Sequence, residues 1–103
     1  MTAPVGLPEI RAAAERIRPY IRRTPLLELR RTLRQSLDWD IVLKLESLQV
    51  TGSFKPRGAL NAMLTLPRRQ IEGGVVTASG GNHGLGVAYA ARALGVPATV
   101  YVP

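Results

Sequence analysis

Apolar positions near the start of the chain fall at Ile10, Ala13, Ala14 and Ile17, the three- and four-residue spacing of one helix face. Pro8 suits a first helical turn, where no amide donor is needed, and Glu9 suits the positive end of the helix dipole. The helix is predicted to end near Arg18, because Pro19 follows. Residues 26–29 and 41–45 read as short strands. In the second, Ile41, Leu43 and Leu45 alternate too loosely with Val42 and Lys44 to leave one wet face, so both faces are expected to be covered. Ala59, Leu60, Met63 and Leu64 predict a helix over 55–66 that stops at Pro67. The clearest pattern comes last: Gly74 leads into Val75, Val76 and Thr77, a glycine-rich turn follows, residues 84–94 are Ala-rich and helical, and Gly95 caps them before a strand over 98–102. This predicts one strand–turn–helix–strand unit of a parallel sheet, and so an α/β fold class. A parallel sheet needs both faces covered and more than two strands, yet the sequence stops at Pro103 as the second strand closes, so the sheet is expected to be partial.

A length of 103 residues allows one compact domain at most, and 46% apolar with 20% charged residues is the composition of an ordinary folded, soluble chain. Charge adds a second possibility. The formal net charge is +7, and eight of the fourteen basic residues fall within the first 34 positions: Arg11, Arg16, Arg18, Arg22, Arg23, Arg30, Arg31 and Arg34. Such a cluster can be an electrostatic footprint for nucleic acid, but few aromatic residues interleave the charges, and a solvated helix face accounts for it more simply. With no cysteine there is no disulfide, thiolate nucleophile or cysteine-ligated metal, and a lone His83 leaves little for zinc, so no metal site is expected. Residues 1–7 lack the basic segment and apolar run of a secretory signal, and no apolar stretch approaches membrane-spanning length, which makes the cytoplasm the expected location.

Two loops carry candidate chemistry, and each precedes a predicted helix. In Thr51-Gly52-Ser53-Phe54-Lys55-Pro56-Arg57-Gly58-Ala59 a lysine stands at a helix start between an aromatic residue and a proline. There the positive end of the dipole favours the neutral amine, the form that attacks a carbonyl, although a solvated helix-start lysine fits the same pattern. In Thr77-Ala78-Ser79-Gly80-Gly81-Asn82-His83-Gly84 small residues allow close backbone approach, and amides at a helix N-terminus can hold a carboxylate or phosphate. A plain tight turn is the alternative. The glycines at 80, 81, 84 and 86 miss the dinucleotide-binding register, and Val87 stands where a P-loop requires lysine.

Together with Arg23-Thr24-Pro25-Leu26 after the first helix, these two loops resemble the fold type II pyridoxal-phosphate enzymes, in the branch of the serine and threonine dehydratases. The likeness runs through nearly the whole chain in the family's order. His83 after Asn82, and Phe54 with Arg57 around the lysine, fit that branch better than the cysteine synthases. The resemblance implies a tryptophan synthase beta-like parallel three-layer sheet, truncated here, with 1–72 starting the large cofactor domain and 73–103 starting the small substrate domain.

It further implies that Lys55 holds pyridoxal phosphate covalently and acts as the catalytic base, that Phe54 packs beside the ring and that Asn82 bonds the ring hydroxyl oxygen. Ser79, Gly80, Gly81, Asn82 and His83 would bind the substrate carboxylate. The implied reaction is elimination and deamination of serine or threonine to a 2-oxo acid and ammonia. His83 and Glu46 are read as structural partners, the first orienting its loop, rather than as base or acid. Racemases of the family carry a serine where this chain has Gly80, which has no proton to give, so racemisation is disfavoured. The family's phosphate-binding glycine loop and the residue that meets the pyridine nitrogen are not found up to Pro103, so this length of chain is expected to be inactive by itself. A noncatalytic module that pairs with itself or with a full-length relative is the alternative, and a basic nucleic-acid binder is the third reading; the expected partners are a small-molecule amino-acid substrate and a second copy of the chain in a homo-oligomer.

Overall fold

The computed structural model describes residues 3–29 and 40–103; Arg30, Arg31 and Arg34 of the basic cluster lie outside them. Helix α1 spans Leu7–Ile17. The Gly6 amide donates to the Glu9 carboxylate at 2.8 Å, so a first-turn acid satisfies a donor that the helix start leaves free. The chain does not halt at Pro19. It tightens into a 3-10 turn over Arg18–Tyr20, a geometry that accepts a proline early in the turn.

Strands β1 (Leu26–Glu28) and β2 (Val42–Lys44) pair antiparallel with Leu27 opposite Leu43. Main-chain bonds from Leu29 to Ile41 and from Leu45 to Pro25 extend the ladder at its two ends. The expectation that both faces of the second strand are covered fails here. Both strands are exposed along their whole length, because a two-stranded ribbon has too little apolar surface of its own to bury its side chains.

Helix α2 spans Lys55–Thr65, and the short α3 spans Arg68–Ile71 after Pro67. Strand β3 (Val75–Ala78), helix α4 (Asn82–Leu94) and strand β4 (Ala98–Tyr101) form the strand–turn–helix–strand unit read in the sequence. β3 and β4 are parallel, with Val75 opposite Ala98 and Ala78 opposite Tyr101. Among the described residues the sheet therefore exists as two separate two-stranded pieces, one antiparallel and one parallel. Helix α4 ends at Gly95, whose left-handed conformation (φ +66°) costs a residue without Cβ nothing. The Arg68 guanidinium covers that end by donating to the carbonyls of Leu94 and Gly95 at 2.6 and 3.3 Å.

Ile17, Leu60, Met63, Ile71, Val87, Ala90, Ala91 and Val96 form one apolar core in which α2 packs against α4, with Leu60 wholly buried. Each such large side chain removed from water stabilises the fold by roughly 1.5–3 kcal/mol. The core draws on residues from both sides of position 72, so the two predicted domain beginnings share a packed interior. The Tyr89 hydroxyl donates to the Tyr20 carbonyl and ties α4 to the turn after α1. No helix among the described residues is long and apolar enough to cross a membrane.

Candidate functional site

The approach to Lys55 is a turn fixed by one buried amide. Gln49 is only 2% exposed, and its side chain makes three hydrogen bonds: Oε1 accepts from the amides of Arg22 and Val50 at 2.9 and 3.0 Å, and Nε2 donates to the Arg22 carbonyl at 2.8 Å. The Gly52 amide closes the turn on the Gln49 carbonyl at 2.8 Å. Thr51 (φ +63°, ψ 3°) and Gly52 (φ +78°) are successively left-handed. For a β-branched threonine this conformation costs about 1–2 kcal/mol, which the surrounding hydrogen bonds hold in place. The chain then enters α2 through Phe54, which is 60% exposed, and Lys55. The Lys55 ammonium position lies 5.3 Å from the centre of the Phe54 ring.

Arg57, two residues further on, makes a two-pronged pair with Glu46: Nε to Oε2 at 2.7 Å and a second guanidinium nitrogen to Oε1 at 2.8 Å. Buried Thr24 donates its hydroxyl to the same Oε1 at 2.5 Å, and Lys44 lies 3.9 Å away. The hydrogen bonds from Arg57 chiefly, and that from Thr24, hold the Glu46 carboxyl at about 2, against a partial burial that works the other way. The Glu46 hydrogen bond in turn raises Arg57 above the usual guanidinium value. A carboxylate held so firmly in its charged form is no proton donor near neutral pH, so the structural role read for Glu46 in the sequence holds.

In the second loop Ser79 does unexpected work. Its Oγ accepts from the amides of Gly81 and Gly84 at 3.2 and 3.0 Å, capping the start of α4 and drawing the helix back to Asn82, two residues before the predicted start. The amides of Gly80, Asn82 and His83 find no acceptor among the described residues, so three donors remain at the positive end of the helix. His83 Nε2 lies 3.0 Å from Thr77 Oγ1, which anchors the ring to β3, in keeping with the orienting role read for it.

Small residues bring the two loops together. A Cβ at Gly86 would lie 3.0 Å from the carbonyl carbon and Cβ of Lys55 and 3.1 Å from the Pro56 nitrogen, so α4 touches the main chain of the lysine-bearing turn directly. Lys55, Phe54, Thr77 and His83 line one cleft of about 380 Å3, whose other walls include Ala59 and Met63 of α2 and Val87 of α4. Ser79, Gly80 and Gly81 line a different, more apolar hollow of about 330 Å3 with Leu85 and Val102. Asn82 lines neither and stands exposed between them as the first residue of α4. Thus Lys55, Phe54 and His83 meet, whereas the carboxylate-binding candidates gather one turn away. Sequence reasoning weighed Gly86 only as a phosphate-loop glycine and passed over Gln49. The signal for the packing role of Gly86 was a glycine inside an otherwise helical run, and for Gln49 a polar residue ahead of a Thr-Gly pair.

The cleft fits a flat aldehyde cofactor on three counts: an amine at its wall, an aromatic ring beside that amine, and a volume within the range of small-molecule sites. This architecture is that of a portion of the fold type II pyridoxal-phosphate enzymes. Residues 17–103 match the family described as "Pyridoxal-phosphate dependent enzyme", and the chain belongs to that family, whose members depend on pyridoxal phosphate. It is 48% identical over 94 residues to the L-threonine ammonia-lyase of Geobacter sulfurreducens, covering 91% of this chain and 23% of that protein. It is 44% identical over 99 residues to a catabolic L-threonine dehydratase of Staphylococcus aureus, covering 96% and 29%. Among solved structures, the serine racemase of Dictyostelium discoideum superposes with a TM-score of 0.86 at 42% identity, over 96% of this chain and 32% of that one. The chain thus spans between 23% and 32% of the length of these relatives.

Proposed function

We propose that this chain contributes the lysine-bearing part of an ammonia-lyase that converts serine- or threonine-type hydroxy amino acids to a 2-oxo acid and ammonia. The observation that carries the reading is the convergence of Lys55, Phe54 and His83 on one cleft, beside a helix start with three uncommitted amides. The names of the relatives, a threonine ammonia-lyase and a threonine dehydratase, favour this chemistry. Pyridoxal phosphate, when bound, supplies an electron sink for the carbanion formed at the substrate α-carbon.

Lys55 would hold the cofactor, and its Nζ, once free, would take the α-proton. Phe54 would pack beside the ring, and Asn82 would offer its amide to the ring oxygen. The substrate carboxylate is received by the amides of Gly80, Asn82 and His83, while the Ser79 hydroxyl and Gly81 shape that turn. The β-hydroxyl leaves as water, and hydrolysis then releases ammonia and the 2-oxo acid. Gly80 offers no side-chain proton on the opposite face, which favours elimination over racemisation. The proposed boundary between the cofactor-domain and substrate-domain portions falls at 72–73, although the two share one apolar core, and by itself the chain is expected to bind cofactor without turning substrate over.

The test is to add pyridoxal phosphate to the purified chain, reduce with borohydride and map the adduct by peptide mass spectrometry. A single stoichiometric adduct on Lys55 supports the reading, and scattered labelling of Lys44 and Lys55 alike refutes it. A second reading, self-association without catalysis, is favoured by the exposed Leu26, Leu27, Val42 and Leu43 of the antiparallel ribbon. Sedimentation analysis separates the two: a stable dimer that takes up no cofactor supports the second.

A further inference from the structure

Away from the Lys55 cleft, a second cavity of about 640 Å3 is walled, among the described residues, by Arg18, Arg22, Arg23, Lys44 and Arg57, with Ala14 and Ile21 as apolar lining. Few of these charges are neutralised. Arg57 pairs with Glu46, and Arg18 pairs with Glu15 outside on the exposed face of α1. Both oxygens of Glu46 are already engaged by Arg57 and Thr24, so little is left for Lys44, 3.9 Å away, whose ammonium donates instead to the Thr24 carbonyl at 3.2 Å. Arg22 donates to the neutral carbonyl of Leu48 at 3.2 Å, and Arg23 has no partner among the described residues. Five cations therefore converge against two carboxylates, and mutual repulsion makes a bound anion stabilising there.

The backbone that presents them is held in advance of any ligand. Gln49 fixes both the amide and the carbonyl of Arg22, and buried Thr24 is tied to Glu46, so the Arg22-Arg23-Thr24 segment is clamped from two sides. Guanidinium groups on a fixed main chain lose less freedom on binding than the same groups on a loose one.

We propose that this cavity is a binding site for a phosphoryl dianion, distinct from the cofactor cleft, with Arg23 and Arg22 as its principal ligands and Lys44 beside them. Fork-shaped guanidinium donors match phosphate oxygens in pairs, and the volume accommodates either free phosphate or the phosphate end of a larger monoester. The site goes beyond the proposed lyase chemistry and depends on none of its residues. Because Arg57 forms part of its wall two positions after Lys55, an anion here sits against the first turn of the helix that carries the lysine.

The test is a 31P NMR titration of the purified chain with inorganic phosphate at constant ionic strength, with glycerol phosphate as a parallel arm. Saturable binding is expected, weakened about tenfold in Arg23→Gln, the loss of one charge-assisted contact. Arg92→Gln, on the far helix α4, and Lys55→Ala are expected to bind as the unaltered chain does. Because Arg23 has no partner among the described residues, its substitution is expected to leave the fold intact, which an unchanged far-ultraviolet circular dichroism spectrum verifies. Tighter binding of glycerol phosphate assigns the site to a monoester, and equal or weaker binding assigns it to free phosphate. Non-saturating binding, equal weakening in Arg23→Gln and Arg92→Gln, or loss of binding in Lys55→Ala would overturn the proposal.

Discussion

Replacing Glu46 by glutamine removes one negative charge from the three-way contact with Arg57, Thr24 and Lys44 while keeping the shape of the side chain. The carboxyl sits at about 2 in the folded chain against an ordinary 4.5. At about 1.4 kcal/mol for each tenfold change in proton affinity, that difference is worth roughly 3 kcal/mol, and water at the partly exposed pair trims it to about 2. A lowered folded value means that the stabilisation is fully present above the ordinary carboxyl value and is lost as the pH falls from about 4.5 toward 2. Urea unfolding followed by far-ultraviolet circular dichroism, at fixed ionic strength between pH 6 and pH 2.5, measures it. The gap between the unaltered chain and Glu46→Gln should be about 2 kcal/mol at pH 6 and should close steadily below pH 4.5. A gap that stays constant over that range would refute the assignment of the stabilisation to an ionised Glu46.

Three further outcomes follow from the same geometry. Gln49→Ala strips three partners from the main chain of Arg22 and Val50 and is expected to cost about 2–4 kcal/mol in urea unfolding, since buried donors and acceptors are left unpaired. Lys55→Ala is expected to abolish the borohydride-trapped adduct while leaving the unfolding midpoint within about 0.5 kcal/mol of the original, as the ammonium makes no hydrogen bond that the fold depends on. Gly86→Val places methyl groups against the main chain of Lys55 and Pro56; about 1–3 kcal/mol of overpacking and a lower yield of adduct are expected, and an unchanged yield would show that the seam gives way without moving the lysine.

The α/β class, four of the five helix and strand positions after residue 54, and the stops at Pro67 and Gly95 were legible because each rests on local chemistry: periodicity, a missing amide, a left-handed glycine. The antiparallel pairing of β1 with β2 was not. Alternation of Ile41, Leu43 and Leu45 says that a strand forms, but not which way its neighbour runs or whether anything lies over it. At the site, the two glycine-bearing loops and Lys55 could be picked out by residue type. That Ser79 spends its oxygen on Gly81 and Gly84, and that Gln49 clamps Arg22 across 27 positions, are matters of distance through space that no local pattern encodes. The Glu46–Arg57 pair lay between: both residues were noticed, and their partnership needed the turn at Thr51 to fold them face to face.

The seam at Gly86 has a consequence for how this chain can change over evolutionary time. Because α4 rests on the main chain of Lys55 and Pro56, the spacing between the amine and the amide-lined turn is gauged by backbone against backbone. Exposed side chains on either helix can change in size and polarity without altering that spacing, while any bulk added at position 86 acts on it directly. A single hydrogen atom at that position is thus the calibration mark of the pair of loops, and a lineage free to vary its surface is held narrowly there.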